Sequence, residues 1–226
     1  MSSSSSTLTR VQFEQACKAF IDKHARSPLP SMGATTLEGW SWAEHPTVPG
    51  LGYLFRTVPL HGRALAPDKN GDFVQENVLQ SAEFVDDPAI ADGASPEFLT
   101  CEQSIAFSPT FQVPAFYFTI HDSRGSPVGL EEIMNTSLLR HHALPETQTT
   151  SFALFQRDAL FPLLSQGDHP ISGLPSWLIH PCGTACAMSE LIGEKMAGGM
   201  PEVCSKEWLL VWLETWFLML GNMVQL

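Results

Sequence analysis

Basic residues are scarce in this chain. Of 226 residues only 12 are Lys or Arg, against 24 Asp or Glu, for a formal charge of −12. The isoelectric point is about 4.9. Charged residues of both signs reach 16%, below the roughly 25% usual in soluble domains. Nucleic-acid backbones and anionic membranes are bound by clustered Lys and Arg, so neither is an expected partner here. The N-terminus, Met1 to Ser6, is a serine run without the apolar core of a signal peptide, and a flexible start is expected over residues 1–8. The five cysteines are an odd number in a chain long enough to fold without bridges, which points to a reduced, cytoplasmic protein. No internal repeat is present, and composition excludes collagen, coiled coil and general disorder.

What is there reads as one domain over residues 9–226. Thr9 and Gln12 form a capping box, and Phe13, Ala16, Cys17, Phe20 and Ile21 follow at helical spacing, so a first helix ends near Ala25. Trp40 to Trp42 and Gly52 to Val58 read as strands separated by turn residues. The stretch of about 61–97 is acidic, with apolar residues in isolated pairs, and is expected to be a mobile loop. Leu99 to Phe107 and the aromatic-rich Val113 to His121 are the next strands, followed by a short helix over about Leu130 to Leu139. Ser151 to Phe155 and Pro175 to Pro181 are short further strand candidates.

The last apolar run, Trp208 to Leu226, carries one charge, Glu214. Glu207, Glu214, Asn222 and Gln225 recur near multiples of 3.6, which makes one polar stripe on an otherwise apolar helix. The expectation is a terminal helix packed on the core, with a membrane contact as the alternative and no stable membrane insertion. The order of helix, antiparallel strands and helix is an α+β layout.

The chemistry concentrates in His180-Pro181-Cys182-Gly183-Thr184-Ala185-Cys186. A zinc deaminase needs His-x-Glu ahead of Pro-Cys-x-x-Cys, and no histidine here has Glu two positions on. A zinc site from His180, Cys182, Cys186 and Cys204 lacks the paired short spacings of zinc ribbons. A papain-like protease needs a histidine far downstream of its cysteine, and none follows His180. Around Cys17 the residues look faintly caspase-like, but the partner histidine would precede the chain, and the helical spacing puts Cys17 in the core. Two readings of Cys182 remain: a small buried hydrophobe after a strand, or a thiol for thioester exchange, which needs no dedicated histidine base.

His169-Pro-Ile-Ser-Gly-Leu-Pro175 and Trp177-Leu-Ile-His-Pro-Cys182-Gly-Thr184 together resemble the catalytic segment of the ubiquitin-like-conjugating enzymes of autophagy. Phe13 to Lys23, Gly39 to Trp42, Gly52 to Leu54, Gln112 to Phe118 and Gly125 to Ile133 are similar to other parts of that family. The resemblance implies a ubiquitin-conjugating-enzyme-like fold: an N-terminal helix, an antiparallel sheet, the reactive cysteine after the last strand, and a C-terminal helix. It implies that Cys182 accepts the modifier autophagy-related protein 12 from the activating enzyme autophagy-related protein 7. Cys182 would then pass it to a lysine of autophagy-related protein 5, without metal, nucleotide or other cofactor. The alternative branch, autophagy-related protein 3, loads a lipid-linked modifier and usually has His where Thr184 stands here. A non-catalytic adaptor on the same fold is the alternative of another class.

One departure bears on mechanism. Ordinary ubiquitin-conjugating enzymes place an Asn shortly before the cysteine to steady the oxyanion, and this chain has no Asn between Asn135 and Asn222. Thr184, Gln166 and local backbone N–H groups are the candidate donors. His180 is either a base or a structural residue beside the loop, and Asp168 is a further candidate proton acceptor. Cys186 and Cys204 read as core or incidental.

Overall fold

The structure is a computed structural model and describes residues 6–24, 37–61, 98–140, 146–157, 159–199, 201–203 and 205–226. Helix α1 (Arg10–His24) begins as its capping box dictates. The Thr9 N–H donates to Gln12 Oε1 at 2.8 Å, and the Gln12 N–H donates back to Thr9 Oγ1 at 3.2 Å. Phe13, Ala16, Cys17 and Phe20 share one face and are buried. That face meets the C-terminal helix, where Phe20 stacks on Phe217 with centroids 4.7 Å apart and planes at 16°. Burying each such ring stabilises the fold by roughly 1.5–3 kcal/mol.

The described strands form one antiparallel sheet in the order β1-β2-β3-β4-β8-β7-β6-β5. They are β1 (Ser41–Glu44), β2 (Gly52–His61), β3 (Phe98–Ser108), β4 (Val113–His121), β5 (Thr147–Thr149), β6 (Ala153–Gln156), β7 (Leu164–Asp168) and β8 (Pro175–Ile179). Alternation in β3 turns Leu99, Cys101 and Ile105 into the core and leaves Phe98, Thr100 and Glu102 exposed. Strand β4 is buried on both faces from Val113 to Phe118. Its Phe116 and Phe118 face the helices, while Ala115 and Tyr117 lie beneath the His169–Leu174 segment on the other side.

After β4 the chain forms α2 (Leu130–Met134) and the β5-β6-β7 meander. It then returns to insert β8 between β4 and β7, with Phe116 opposite Ile179 and Phe118 opposite Trp177. The chain therefore leaves an internal strand at Ile179 and runs into α3 (Thr184–Ala197) and α4 (Lys206–Leu220).

Helix α4 buries Trp208, Leu209, Trp212, Leu213, Trp216, Phe217 and Leu220, as expected of a core-packed terminal helix. Among the described residues no helix is long and apolar enough to cross a membrane. The expected polar stripe is shorter than its spacing suggests. The helix ends at Leu220, so Asn222 and Gln225 lie beyond it, in a tail held by the Gln225 N–H to Leu138 O bond. The outer face carries Glu207 and an exposed Leu218, while Glu214 is half-buried against α1 and accepts from Lys23 Nζ at 2.6 Å.

Other boundaries also differ from the sequence reading. The start is ordered at least from Ser6, which is buried, and Leu8 is buried with its N–H on Gln112 O. The expected mobile acidic loop of about 61–97 lies outside the described residues apart from His61. Helix α2 stops at Met134, because Thr136 Oγ1 bonds to Ile133 O and Leu139 is taken into a bridge with Val224. Strands β5 and β7 were not expected. Both are short and polar, with Leu164 the sole fully buried residue of β7, so no period of two marks them. Helix α3 was not expected either: it buries only Met188 and Ile192, contains Gly193, and its N-cap Gly183 makes no side-chain cap.

Candidate active site

Cys182 follows His180, on which two remote turns converge. Strand β8 delivers the backbone, and the His180 N–H donates to Leu163 O at 3.0 Å, the last ladder-like bond before the strand ends. Pro181 disfavours the helical conformation at His180, which is extended at φ −67° and ψ 123°. Pro181 itself starts a 3-10 turn over Pro181–Gly183, where its missing N–H costs nothing. The turn runs directly into α3. Cys182 is thereby lifted out of the sheet, and its thiol is free and exposed. The buried-hydrophobe reading fails for Cys182 and holds for Cys17, which is fully buried.

The His180 ring turns back over this turn. Its Nδ1 accepts the Cys182 N–H at 3.3 Å. A ring nitrogen that accepts carries no proton, so the hydrogen-bond network places the neutral imidazole's proton on Nε2. The ring stacks on Phe161 of the β6–β7 turn, with centroids 5.3 Å apart and planes at 11°. Its edge contact is Phe111 of the β3–β4 turn, at 5.4 Å and 74°. Burial between these rings holds the imidazole pKa below its ordinary value, which favours the neutral, accepting form.

The same local device occurs twice more. His45, which also precedes a proline, accepts the Thr47 and Val48 N–H groups on Nδ1 at 3.2 and 3.1 Å. His169, before Pro170, accepts those of Ile171 and Ser172 at 3.3 and 3.1 Å. In each case a following proline disfavours the helical conformation at the histidine, and the ring reaches the N–H two residues on, as an Asx turn does. Neither His45 nor His169 has a cysteine two residues on.

Thr184 is the first residue of α3, two positions after Cys182, and is half-buried. Two backbone donors near the thiol are already engaged: the Cys182 N–H by His180, and the Thr184 N–H by Pro181 O. The Thr184 hydroxyl, two positions on, and the remaining backbone N–H groups of the turn stay the candidate oxyanion donors. The structure does not bring Gln166 to the thiol. It is exposed in β7 opposite Trp177, which puts it on the order of 10 Å back along the strand from His180. Asp168, opposite Pro175, lies further still in the same direction. Cys186 is exposed on the first turn of α3, not in the core, and Cys204 lies outside the described residues. Among the described residues no group of three or more His, Cys, Asp or Glu is arranged to hold a metal ion. Phe111 and Phe161 escaped the sequence reading because both come from turns remote in the chain.

Comparison with known proteins bears on this site. The family described as autophagocytosis associated protein, active-site domain, matches residues 12–224. A protein of Arabidopsis thaliana named ubiquitin-like-conjugating enzyme ATG10 is 24% identical over 162 residues, 71% of this chain and 64% of the relative. A protein of the same name from Gibberella zeae is 26% identical over 150 residues, 65% of this chain and 57% of the relative. Less than two thirds of either relative's own length is thus matched. With residues 12–224 covered, and with them the whole turn that carries Cys182, the chain belongs to the autophagocytosis-associated active-site-domain family.

Proposed function

We propose that this protein is a ubiquitin-like-conjugating enzyme of autophagy, of the autophagy-related protein 10 kind, with Cys182 as the thioester-forming nucleophile. The observation that carries the reading is the exposed Cys182 thiol, presented at the end of an internal strand by a turn whose N–H is held by His180. The names of both relatives support the same activity. Two transfers make up the reaction. In loading, the Cys182 thiolate attacks the carbonyl carbon of a modifier's C-terminal thioester. A new C–S bond forms, and the activating enzyme's sulfur leaves as the thiolate. In transfer, a neutral lysine Nζ attacks the carbonyl carbon of the Cys182 thioester and an N–C bond forms. The C–S bond breaks with the Cys182 sulfur leaving as the thiolate, and the proton shed by the nitrogen passes to that thiolate or to solvent. The Thr184 hydroxyl donates to the oxygen that becomes negative in each tetrahedral intermediate. His180 keeps the turn in place and spends its Nδ1 lone pair in doing so.

The modifier is autophagy-related protein 12, the donor autophagy-related protein 7, and the acceptor a lysine of autophagy-related protein 5. Thr184, in place of the His usual in autophagy-related protein 3, favours this branch. The test is a non-reducing gel after incubation with the donor, the modifier and ATP. An adduct that reductant removes is expected, with Cys182→Ser giving an adduct that survives reductant. A reductant-sensitive adduct on Cys182→Ala would refute the assignment, and loss of Cys182 without effect on autophagic conjugation would favour the adaptor.

A further inference from the structure

Phe161 is an unusual surface residue. It is 54% exposed and follows Leu160, which is 92% exposed, at the tip of the β6–β7 turn. Burial alone does not account for its placement, since about half of the ring stays in water. The face it does cover is the His180 imidazole, in a stack with planes only 11° apart. The same turn supplies Leu163 O, which takes the His180 N–H at 3.0 Å. One turn therefore holds His180 twice, by its backbone and by its ring. Phe111 closes the edge of the ring from the β3–β4 turn. The ring's own Nδ1 then holds the Cys182 N–H. Leu163 and Phe161 of a remote turn thus both hold His180, and His180 holds the backbone N–H of Cys182.

We infer that Phe161 is a positioning residue for Cys182, acting through the orientation of the His180 ring. Rotation of His180 about its side-chain bonds would swing Nδ1 away from the Cys182 N–H, and the flat face of Phe161 opposes that rotation. His169 is held differently, with its ring edge-on to Tyr53 and Tyr117 at 5.0 and 5.1 Å and no stacked face among the described residues. What the Phe161 brace requires is a planar face, since apolar bulk alone does not fix a ring plane. Tyr at 161 keeps that face, and Leu keeps only the bulk. The inference rests on the reading of Cys182 as the thioester-forming thiol.

The experiment compares Phe161→Leu and Phe161→Tyr with the wild type in the full chain. Because residue 161 is half exposed, both variants are expected to fold, and a thermal melt checks this. The first readout is the nitrogen chemical-shift pattern of the His180 imidazole, which reports the tautomer without any partner protein. The Nε2–H form is expected in the wild type and in Phe161→Tyr, and a mixture of tautomers in Phe161→Leu. The second readout is the single-turnover rate of Cys182 loading. Phe161→Leu should slow it roughly 2- to 10-fold, the range of one aromatic pair energy expressed as a rate ratio, with Phe161→Tyr close to the wild type. An unchanged tautomer and loading rate in Phe161→Leu would overturn the inference and leave Phe161 an ordinary surface hydrophobe. If the wild type itself fails to load, the thioester reading falls, while the tautomer readout still decides whether Phe161 sets the ring.

Discussion

Replacing His180 separates a structural histidine from a catalytic base. His180→Ala removes the acceptor of the Cys182 N–H and the ring held between Phe111 and Phe161. A neutral hydrogen bond contributes about 0.5–1.5 kcal/mol, and each aromatic pair about 0.5–1.5 kcal/mol. Even the low end of their sum, about 1.5 kcal/mol, is roughly a tenfold change in occupancy of the held turn. In the proposed reaction, loading of Cys182 and transfer to the acceptor lysine both start from that turn, so both should slow by a similar factor, about tenfold or more. His180→Asn refines the test. The Asn side-chain oxygen can accept the N–H two residues on, as in an Asx turn, yet the amide cannot take up a proton at neutral pH. His180→Asn should therefore recover part of the lost rate in both steps, about 2- to 10-fold over Ala. The assay is single-turnover loading, then a chase of preloaded enzyme with substrate. Selective slowing of transfer in both variants, with loading at the wild-type rate, would refute the structural reading and make His180 the base.

Three further outcomes follow from the packing and titration of the fold. Phe217→Ala should destabilise the protein by about 3–5 kcal/mol in a denaturant titration, because Phe217 is buried against Phe20, Trp40 and Trp216. A loss under 1 kcal/mol would mean that α4 is not part of the core. Lys23→Ala should change stability by no more than about 0.5 kcal/mol, since its 2.6 Å ion pair with Glu214 has its lysine half in water. Stability should fall on acidification below about pH 6.5, because burial lowers the folded-state pKa of His169 and His180, so the unfolded chain binds protons first. His169→Asn should flatten that fall in equilibrium unfolding across the pH range, and an unchanged slope would assign the effect elsewhere.

Where the sequence carries a strong local signal, the structure follows it. The Thr9–Gln12 capping box starts α1, Val113 to His121 is β4, and the apolar run after Lys206 packs as α4. Each has either a paired side-chain device or many buried residues in one period. Strand β7 is Leu-Ser-Gln-Gly-Asp, and its place depends on pairing with β8 rather than on its own residues. Helix α3 exposes most of its surface, so two buried residues are too few to mark its period. The site divides in the same way. Cys182, His180 and Thr184 are neighbours in sequence and therefore in space, so the motif alone brings them together. Gln166 is a candidate by its side-chain amide alone, and register decides against it: two residues of β8 separate its partner Trp177 from His180. Phe111 and Phe161 reach His180 only because β8 is threaded between β4 and β7.

In the proposed reaction, the threading of β8 also bears on how the acceptor amine is made reactive. A lysine has an unperturbed pKa near 10.4, so at neutral pH almost all of it is protonated and must lose that proton to attack. His180 has its Nδ1 lone pair on the Cys182 N–H. Gln166 and Asp168 sit toward the far end of β7. Glu190 is eight residues along the helical path from Cys182, on the order of 12 Å at 1.5 Å per residue. Among the described residues, then, the motif places no uncommitted carboxylate or imidazole beside the thiol. The thiol is open to solvent. Charge on an amine approaching an open site stays well hydrated, and its pKa stays high. In the proposed reaction the acceptor would therefore have to bring its own desolvation, and an acceptor that covered the exposed Phe161 and Leu160 beside His180 would remove water from around the lysine. On this reading the enzyme contributes a fixed electrophile and an oxyanion donor, and the acceptor's fit decides when the amine becomes a nucleophile.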